Sequence, residues 1–535
     1  MELSAGLPVI CGILILAILI DVLLIWTWRY IQNAKSKQSS GESNELYVPR
    51  GFTSAVSSTG GWLSSAIGSA RDTTKAIGSQ IRGNNRAQLR IFFVLACLIT
   101  TSSLGYVYAD HSMVSGWQLW TFLLCVLVAI VAMLPGEQFP LRLRRHHLWL
   151  VGLLFAALLL RAVFLERLPP GLHVDEAGSA DFTLRHVFPP QELTLSPFRT
   201  GHSSQPSLYN YLLWLSFAVV GENITGLRIT SALAGSAAVV TTYALVSILQ
   251  SRRAAFLAAI LLTVSHFHIH WSRIGLNNIW DTVWVPLILA VYAWGWQKNW
   301  SSGAVLAGLA LGFSQYFYAG SRIVLFLLPF LMYSLWRKER DNPRLVEYAA
   351  KTLGMAAVVA APLAIFGIQF PEEFGRRLIT GLIWGSDLPP DQIPTVGDRL
   401  IDTLVSFTAL PENSGFYRPG IPLVFGLAVP LFIVGILWAI RERQFLPVLW
   451  VGLTMFFGGF LLQALPSSNH YLVAVPAICW LIAMPLDALF AFGRPRIAVV
   501  LLLLVVASEL GFYYGIYARA PSPDLALAFP ENPWK

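Results

Sequence analysis

The sequence predicts an all-α polytopic membrane protein, and three observations carry that reading. Apolar runs of about 17 to 22 residues recur along the chain, each bounded by charges or by Gly and Pro, which matches the length a helix needs to cross the hydrocarbon core. Of the 535 residues, 55% are hydrophobic and only 12% charged, against roughly 25% charged in soluble domains. Sustained alternation of apolar and polar residues, the mark of a membrane barrel, is missing from the runs. The net charge of +8 reports topology, because Lys and Arg collect in cytoplasmic loops. It calls for no nucleic-acid partner. Cys11, Cys97, Cys125 and Cys479 all lie in apolar runs without metal or redox spacing, so they read as packing residues.

Taken in order, residues 1–28 hold an anchor whose apolar run 7–28 precedes its basic flank Arg29, Lys35 and Lys37, the reverse of a cleaved signal. Its N-terminus is expected outside. Residues 29–90 form a cytoplasmic Ser/Gly-rich linker in which Trp62, Leu63, Ala66, Ile67, Ala70 and Ile77 recur at helical spacing. That pattern suits an interfacial helix or an arm for a protein partner. Residues 91–147 add a hairpin of spans 91–109 and 117–134, closed by the basic turn Arg142, Arg144 and Arg145. The main domain, 148–517, begins with span 148–165 and outer loop 166–228.

Charge then fixes the path, since the arginines at 252–253, 337–344, 441–443 and 494–496 should all lie inside. The crossings that allow this are 229–249, 254–270, 279–296, 303–318, 323–336, 347–366, 421–440, 445–464, 471–490 and 497–517. Segment 208–220, too short to cross comfortably and carrying Tyr209, Tyr211 and Trp214, stays at the outer interface. A second outer loop covers 367–420, and the tail 518–535 is outside. The sum is fourteen spans of a plasma (inner) membrane protein with both termini outside. The lipid bilayer is its first partner.

This path gathers the unusual polar clusters on the outer face. Asp175 and Glu176 follow a span in Leu-Pro-Pro-Gly-Leu-His-Val-Asp-Glu-Ala. Adjacent helical residues do not share a face, so the pair reads as two roles, a base and a neighbour, or as a solvated acidic cap. His173 stands beside them, and Gln205-Pro206, Asn278 and His470 fall in the same layer. His266 and His270 share a helix face as metal ligands can, but no acid follows at ligand spacing, which favours lining residues. Arg273 suits two phosphate oxygens, or is a snorkelling anchor. Tyr316, Tyr318 and Arg322 join aromatic surface, suited to sugar faces, to a cation, or form an interfacial belt. Asn223-Ile-Thr225 fits a glycan sequon.

Four motifs then succeed one another: the Leu168–Ala177 stretch, Gln-Pro-Ser-Leu-Tyr-Asn-Tyr-Leu from 205, Leu-Arg-Ile-Thr-Ser-Ala-Leu-Ala-Gly from 227, and Trp-Ser-Arg-Ile-Gly from 271. In this order and spacing they resemble the polytopic family-39 glycosyltransferases, which include protein O-mannosyltransferases and lipid A aminoarabinose transferases. The resemblance covers about 148–517 and is strongest over 168–322. It implies a C-type glycosyltransferase-like helix bundle with an outer-face loop and interfacial helices. It also implies a polyprenyl-phosphate sugar donor, inversion, and a hydroxyl acceptor on protein, lipid or glycan. By the same resemblance Asp175 is the base with Glu176 its catalytic neighbour, and Ser272 and Arg273 match the Ser-Arg motif. His173, Gln205, Arg273, Asn278, Tyr316, Tyr318, Arg322 and His470 make up the expected substrate-binding set. Departures are Gln205, where an acid or His often stands, Asn278, near a common Asp, and His470, which lacks a following Arg. Related enzymes leave room for a divalent metal, but no cofactor is demanded by the residues. The rival readings are a transporter or flippase of lipid-linked sugars and an inactive scaffold. The lack of a clear internal repeat weighs against the transporter.

Overall fold

The computed structural model describes residues 85–107, 116–134, 137, 140, 146–187, 196–339, 344–381, 395–412, 415–462 and 468–519. The anchor, nearly all of the linker and the tail past 519 lie outside them, so the expectations for those segments have no structural counterpart. Two compact units are present. Of the described residues, one unit holds those within 85–92 and 329–350, and the other those within 93–328 and 351–519.

Among the described residues all regular elements are helical, and they form a multi-pass membrane bundle. The first helices are α1 (Asn85–Val107), α2 (Gly116–Met133), α3 (His146–Ala162), α4 (Val174–His186), α5 (Leu208–Val220) and α6 (Ile224–Leu249). Next come α7 (Arg252–Val264), α8 (His266–Ser272), α9 (Asp281–Gln297), α10 (Ser302–Ser314), α11 (Val324–Lys338) and α12 (Arg344–Gln369). The last are α13 (Pro371–Gly381), α14 (Val396–Val405), α15 (Ala428–Arg441), α16 (Phe445–Met455), α17 (Val475–Ala491) and α18 (Pro495–Leu510). Seven helical stretches among the described residues are long and apolar enough to cross a membrane, and eight if the bent pair α7 and α8 is one span. Five further expected spans are shorter apolar helices, and α5, expected at the interface, has only 13 residues.

The expected straight span 254–270 needs correction. It is broken at Ser265, with α7 and α8 meeting at 62°. Ser265 ends one helix and caps the next, its hydroxyl accepting from the His268 N–H at 3.4 Å. A break frees backbone groups that lipid cannot satisfy. Buried charges take them up: Arg161 donates to the carbonyls of Leu262 at 2.9 Å and Thr263 at 3.1 Å, and the Glu509 carboxylate accepts from the His266 N–H at 2.7 Å. The Arg161 guanidinium also donates to His268 Nδ1 at 2.9 Å, which leaves Nε2 to donate to Thr282 Oγ1 at 3.1 Å.

Helix α6 sits at the centre, packed on α3, α5, α7, α8 and α9. Asn223 caps it by accepting from Gly226 N–H at 2.9 Å, so the sequon asparagine serves as a helix cap. Gly235 lets α8 approach: a Cβ there would lie 2.0 Å from Ser272 Oγ. Helix α14 exposes Val396, Leu400, Ile401 and Leu404 while burying Arg399 and Thr403. Such an inverted pattern suits a helix lying at a lipid interface.

Candidate active site

The loop from α3 to α4 is built around a capping box. The neutral Nδ1 of His173 accepts from the Asp175 N–H at 3.1 Å, and the Glu176 carboxylate accepts from the His173 N–H at 3.1 Å. Burial pushes the His173 imidazole below the usual histidine range, against the opposing pull of Asp175 and then Glu176. Acids in the first turn and Arg185 and His186 in the last turn match the helix dipole. Position along the helix then separates the two carboxylates, because successive residues turn by about 100°.

Glu176 turns inward and is fully buried. Its Oε1 accepts from Arg228 Nε at 2.8 Å and from the Gly275 N–H at 2.6 Å, and its Oε2 from Arg228 Nη2 at 3.1 Å. Arg228 reaches further, to the carbonyls of Leu165, Pro169 and Gly171. Three of the four sequence motifs therefore meet in one hydrogen-bonded knot. These hydrogen bonds tie the buried Glu176 into the loop.

Arg273, expected to bind phosphate or to anchor in lipid, is held by backbone carbonyls. It is buried, and its guanidinium donates to the carbonyls of Leu168 at 3.1 Å, Leu160 at 2.8 Å and Val163 at 2.6 Å. The fork that suits a phosphate equally suits orphan carbonyls at a helix end.

Asp175 turns the other way and is half-buried. It lines a narrow polar cleft of about 20 Å³, room for a water-sized group, with Ser179, His202, Gln205, Asn210 and Asn277. Asn277 donates to Gln205 Oε1 and to the Phe317 carbonyl at 3.0 Å, tying the cleft to the turn Ala319–Ile323 and its Arg322. Asn210 donates to Thr183 Oγ1 at 2.9 Å and so fixes α5 against α4. Of the expected set, Asp175 and Gln205 line this cleft. Ser179, His202, Asn210 and Asn277 were not anticipated.

The other expected residues fall around it. Asn278 is buried in the turn Asn277–Trp280. Tyr316 is fully buried, donates to the Val359 carbonyl at 2.8 Å and packs on Phe122. Tyr318 is also buried, its hydroxyl 3.5 Å from Asn469 Nδ2, beside His470 in the turn Ser468–Tyr471. Arg322 is half-buried and lies 4.8 Å from the Phe374 ring of α13. Behind it is Asp281, an acid the sequence reading passed over, buried against Gly320 and hydrogen-bonded to the Ser321 backbone, with Oδ1 unpartnered. Helix α13 also receives Arg199 and Thr200 on Glu373, at 3.2 and 2.7 Å.

The three histidines of α8 point apart, His266 to Glu509 and His270 to the Phe416 carbonyl at 2.9 Å. Phe416 also packs on His173, ring centroids 4.1 Å apart. Among the described residues no three His, Cys, Asp or Glu side chains gather as metal ligands.

Residues 204–366 match the family model of dolichyl-phosphate-mannose-protein mannosyltransferases. No curated protein matches the chain. Solved structures similar to it include ArnT from Cupriavidus metallidurans in the apo state, at 14% identity and TM-score 0.49, over 71% of this chain and 67% of that one. The same protein bound to undecaprenyl phosphate gives 14% identity and TM-score 0.48, over 71% and 74%. The archaeal oligosaccharyltransferase AglB from Archaeoglobus fulgidus, in complex with an inhibitory peptide and a dolichol-phosphate, gives 15% and TM-score 0.44, over 70% of this chain and 55% of its own. This chain thus spans little more than half of the archaeal enzyme.

Proposed function

We propose that this chain is a membrane glycosyltransferase that moves a sugar from a polyprenyl-phosphate donor to a hydroxyl acceptor, with inversion, at the outer face of the plasma (inner) membrane. The observation that carries the reading is the division of labour between neighbours: Glu176 is locked to Arg228, while Asp175 opens on a polar cleft next to a membrane helix. The match of residues 204–366 to mannosyltransferases of lipid-linked sugars supports the reaction class.

In this reading the Asp175 carboxylate accepts the proton of the acceptor hydroxyl as its oxygen attacks the anomeric carbon. The bond from that carbon to the phosphate oxygen breaks on the opposite side, which inverts the centre. Phosphate leaves as a stable anion, so no general acid is required. It needs a cation, and Arg322 is the candidate because Arg273 is committed to carbonyls. Gln205, Asn210 and Asn277 supply amides to the sugar or acceptor hydroxyls. The transporter reading has one feature in its favour, the broken helix at Ser265. Its freed groups, however, are taken up by Arg161 and Glu509.

The test is mass spectrometry of cell-envelope glycans and lipid-linked sugars with and without the protein, followed by turnover of the purified full-length chain. Loss of a glycan and accumulation of its lipid-linked donor are expected. Movement of the donor across vesicles with no transfer would instead identify a transporter.

A further inference from the structure

The candidate active site leaves unexplained an apolar groove between α15, α17 and α18. Its volume is about 400 Å³, and Leu427, Val434, Trp438, Leu489, Phe492 and Leu501 are among its lining residues, all of which are apolar. Along α15 the groove runs from Leu427 to Trp438, which at 1.5 Å per residue is about 16 Å. That is about half of the roughly 30 Å hydrocarbon core, the depth of a single leaflet.

One end of the groove is basic. Trp438 and Phe492 meet edge to face there, ring centroids 5.8 Å apart, and the Arg441 guanidinium lies 5.5 Å from the Trp438 ring. The turn that follows Phe492 carries Arg494 and Arg496, and Arg443 follows Arg441. All four arginines are exposed, and among the described residues none of them forms an ion pair. Glu442 is the acid in the same turn. Arg253 is instead paired with Asp487. The other end of α15 follows the loop whose Phe416 packs on His173, so the basic rim is at the end of α15 away from that loop.

We propose that this groove is a binding site for one anionic phospholipid, an acyl chain lying along α15 and its phosphate held by Arg441, Arg494 and Arg496. The chemistry is that of basic pockets between spanning helices, which bind anionic headgroups. A one-leaflet groove excludes a chain that crosses the membrane. The site is distinct from that of the proposed polyprenyl donor, and its test involves no turnover.

The experiment is native mass spectrometry of the full-length protein, titrated separately with dioleoyl phosphatidylglycerol and dioleoyl phosphatidylcholine. The first phosphatidylglycerol should bind at least about tenfold more tightly than phosphatidylcholine. Replacing Arg441, Arg494 and Arg496 by Gln should abolish that preference, at about fivefold per arginine, and Leu501→Trp, which narrows the groove, should weaken binding with the arginines intact. Equal affinity for the two lipids overturns the proposal. So does a triple variant that keeps the preference, and so does unchanged binding in Leu501→Trp.

Discussion

Arg228 grips Glu176 through two parallel hydrogen bonds, Nε to Oε1 at 2.8 Å and Nη2 to Oε2 at 3.1 Å, with both side chains sealed from solvent. Removing one partner of a buried pair leaves the other charge uncompensated and costs about 3 to 5 kcal/mol. Arg228→Met should therefore lower the unfolding temperature strongly, and Glu176→Gln should do so less, because an amide still accepts from Gly275. Thermal unfolding in one detergent checks the order. Wild-type stability in Arg228→Met would remove the knot from the explanation of the loop.

Asp175 makes the opposite case. Asp175→Asn keeps size and removes only the charge that takes the proton. Transfer should fall about 100- to 10,000-fold while the unfolding temperature is maintained. Measuring turnover and melting on the same preparation separates the two neighbours, since substitution at Glu176 should lower both. Near-normal transfer by purified Asp175→Asn would reject the base.

Arg273 is expected to behave as a structural residue. Each carbonyl orphaned in a buried setting costs about 1 to 3 kcal/mol, and a lysine cannot span the three acceptors at Leu160, Val163 and Leu168. Arg273→Lys should lower the melting temperature and leave donor affinity unchanged in the folded fraction. A selective loss of donor affinity at wild-type stability would restore the phosphate-binding role.

How far the sequence discloses this arrangement depends on what each side chain meets. Span positions follow from hydropathy because the bilayer acts on every residue of a run, and α6, α9 and α12 start within a few residues of the expected limits. The opposite orientations of Asp175 and Glu176 follow from helical geometry. Arg228 was hidden because an arginine at the edge of a run reads as a snorkelling anchor, and only the fold brings Glu176 to it. The carbonyl partners of Arg273 are not legible because a guanidinium suits carbonyls as well as phosphate. The break at Ser265 gives no local signal, since its capping charges Arg161 and Glu509 lie more than a hundred residues away in either direction.

His173 makes the loop sensitive to acid. Its neutral Nδ1 accepts from the Asp175 N–H, and burial holds its folded pKa below the ordinary 6.5. An unfolded chain thus binds the proton more readily, so the stability this group contributes is full above about pH 6.5 and is lost as pH falls through the folded value. The protection of the Asp175 amide, taken relative to the intrinsic exchange rate at each pH, should fall on acidification from pH 7 toward 5. His173→Asn, which keeps a capping oxygen but does not titrate in this range, should flatten the profile. An unchanged slope in that variant would assign the acid response to another group.

The last expectation concerns the donor phosphate. Arg322 is half-buried beside Phe374 and faces the buried Asp281, whose Oδ1 has no partner. No direct ion pair joins the two among those observed, which leaves guanidinium donors for an anion. Hydrogen bonds to charged groups are worth about 1.5 to 3 kcal/mol, so Arg322→Gln should weaken binding of the polyprenyl-phosphate sugar by roughly 10- to 150-fold. Acceptor affinity should not change. Asp281→Asn should produce a smaller loss of the same kind, because it loosens Arg322 and leaves its charge in place. The informative measurement is donor affinity by titration, with inorganic phosphate as competitor: the wild type should show competition and Arg322→Gln should not. Equal donor affinity in wild type and Arg322→Gln would place the phosphate elsewhere and leave Arg322 as a packing residue against α13.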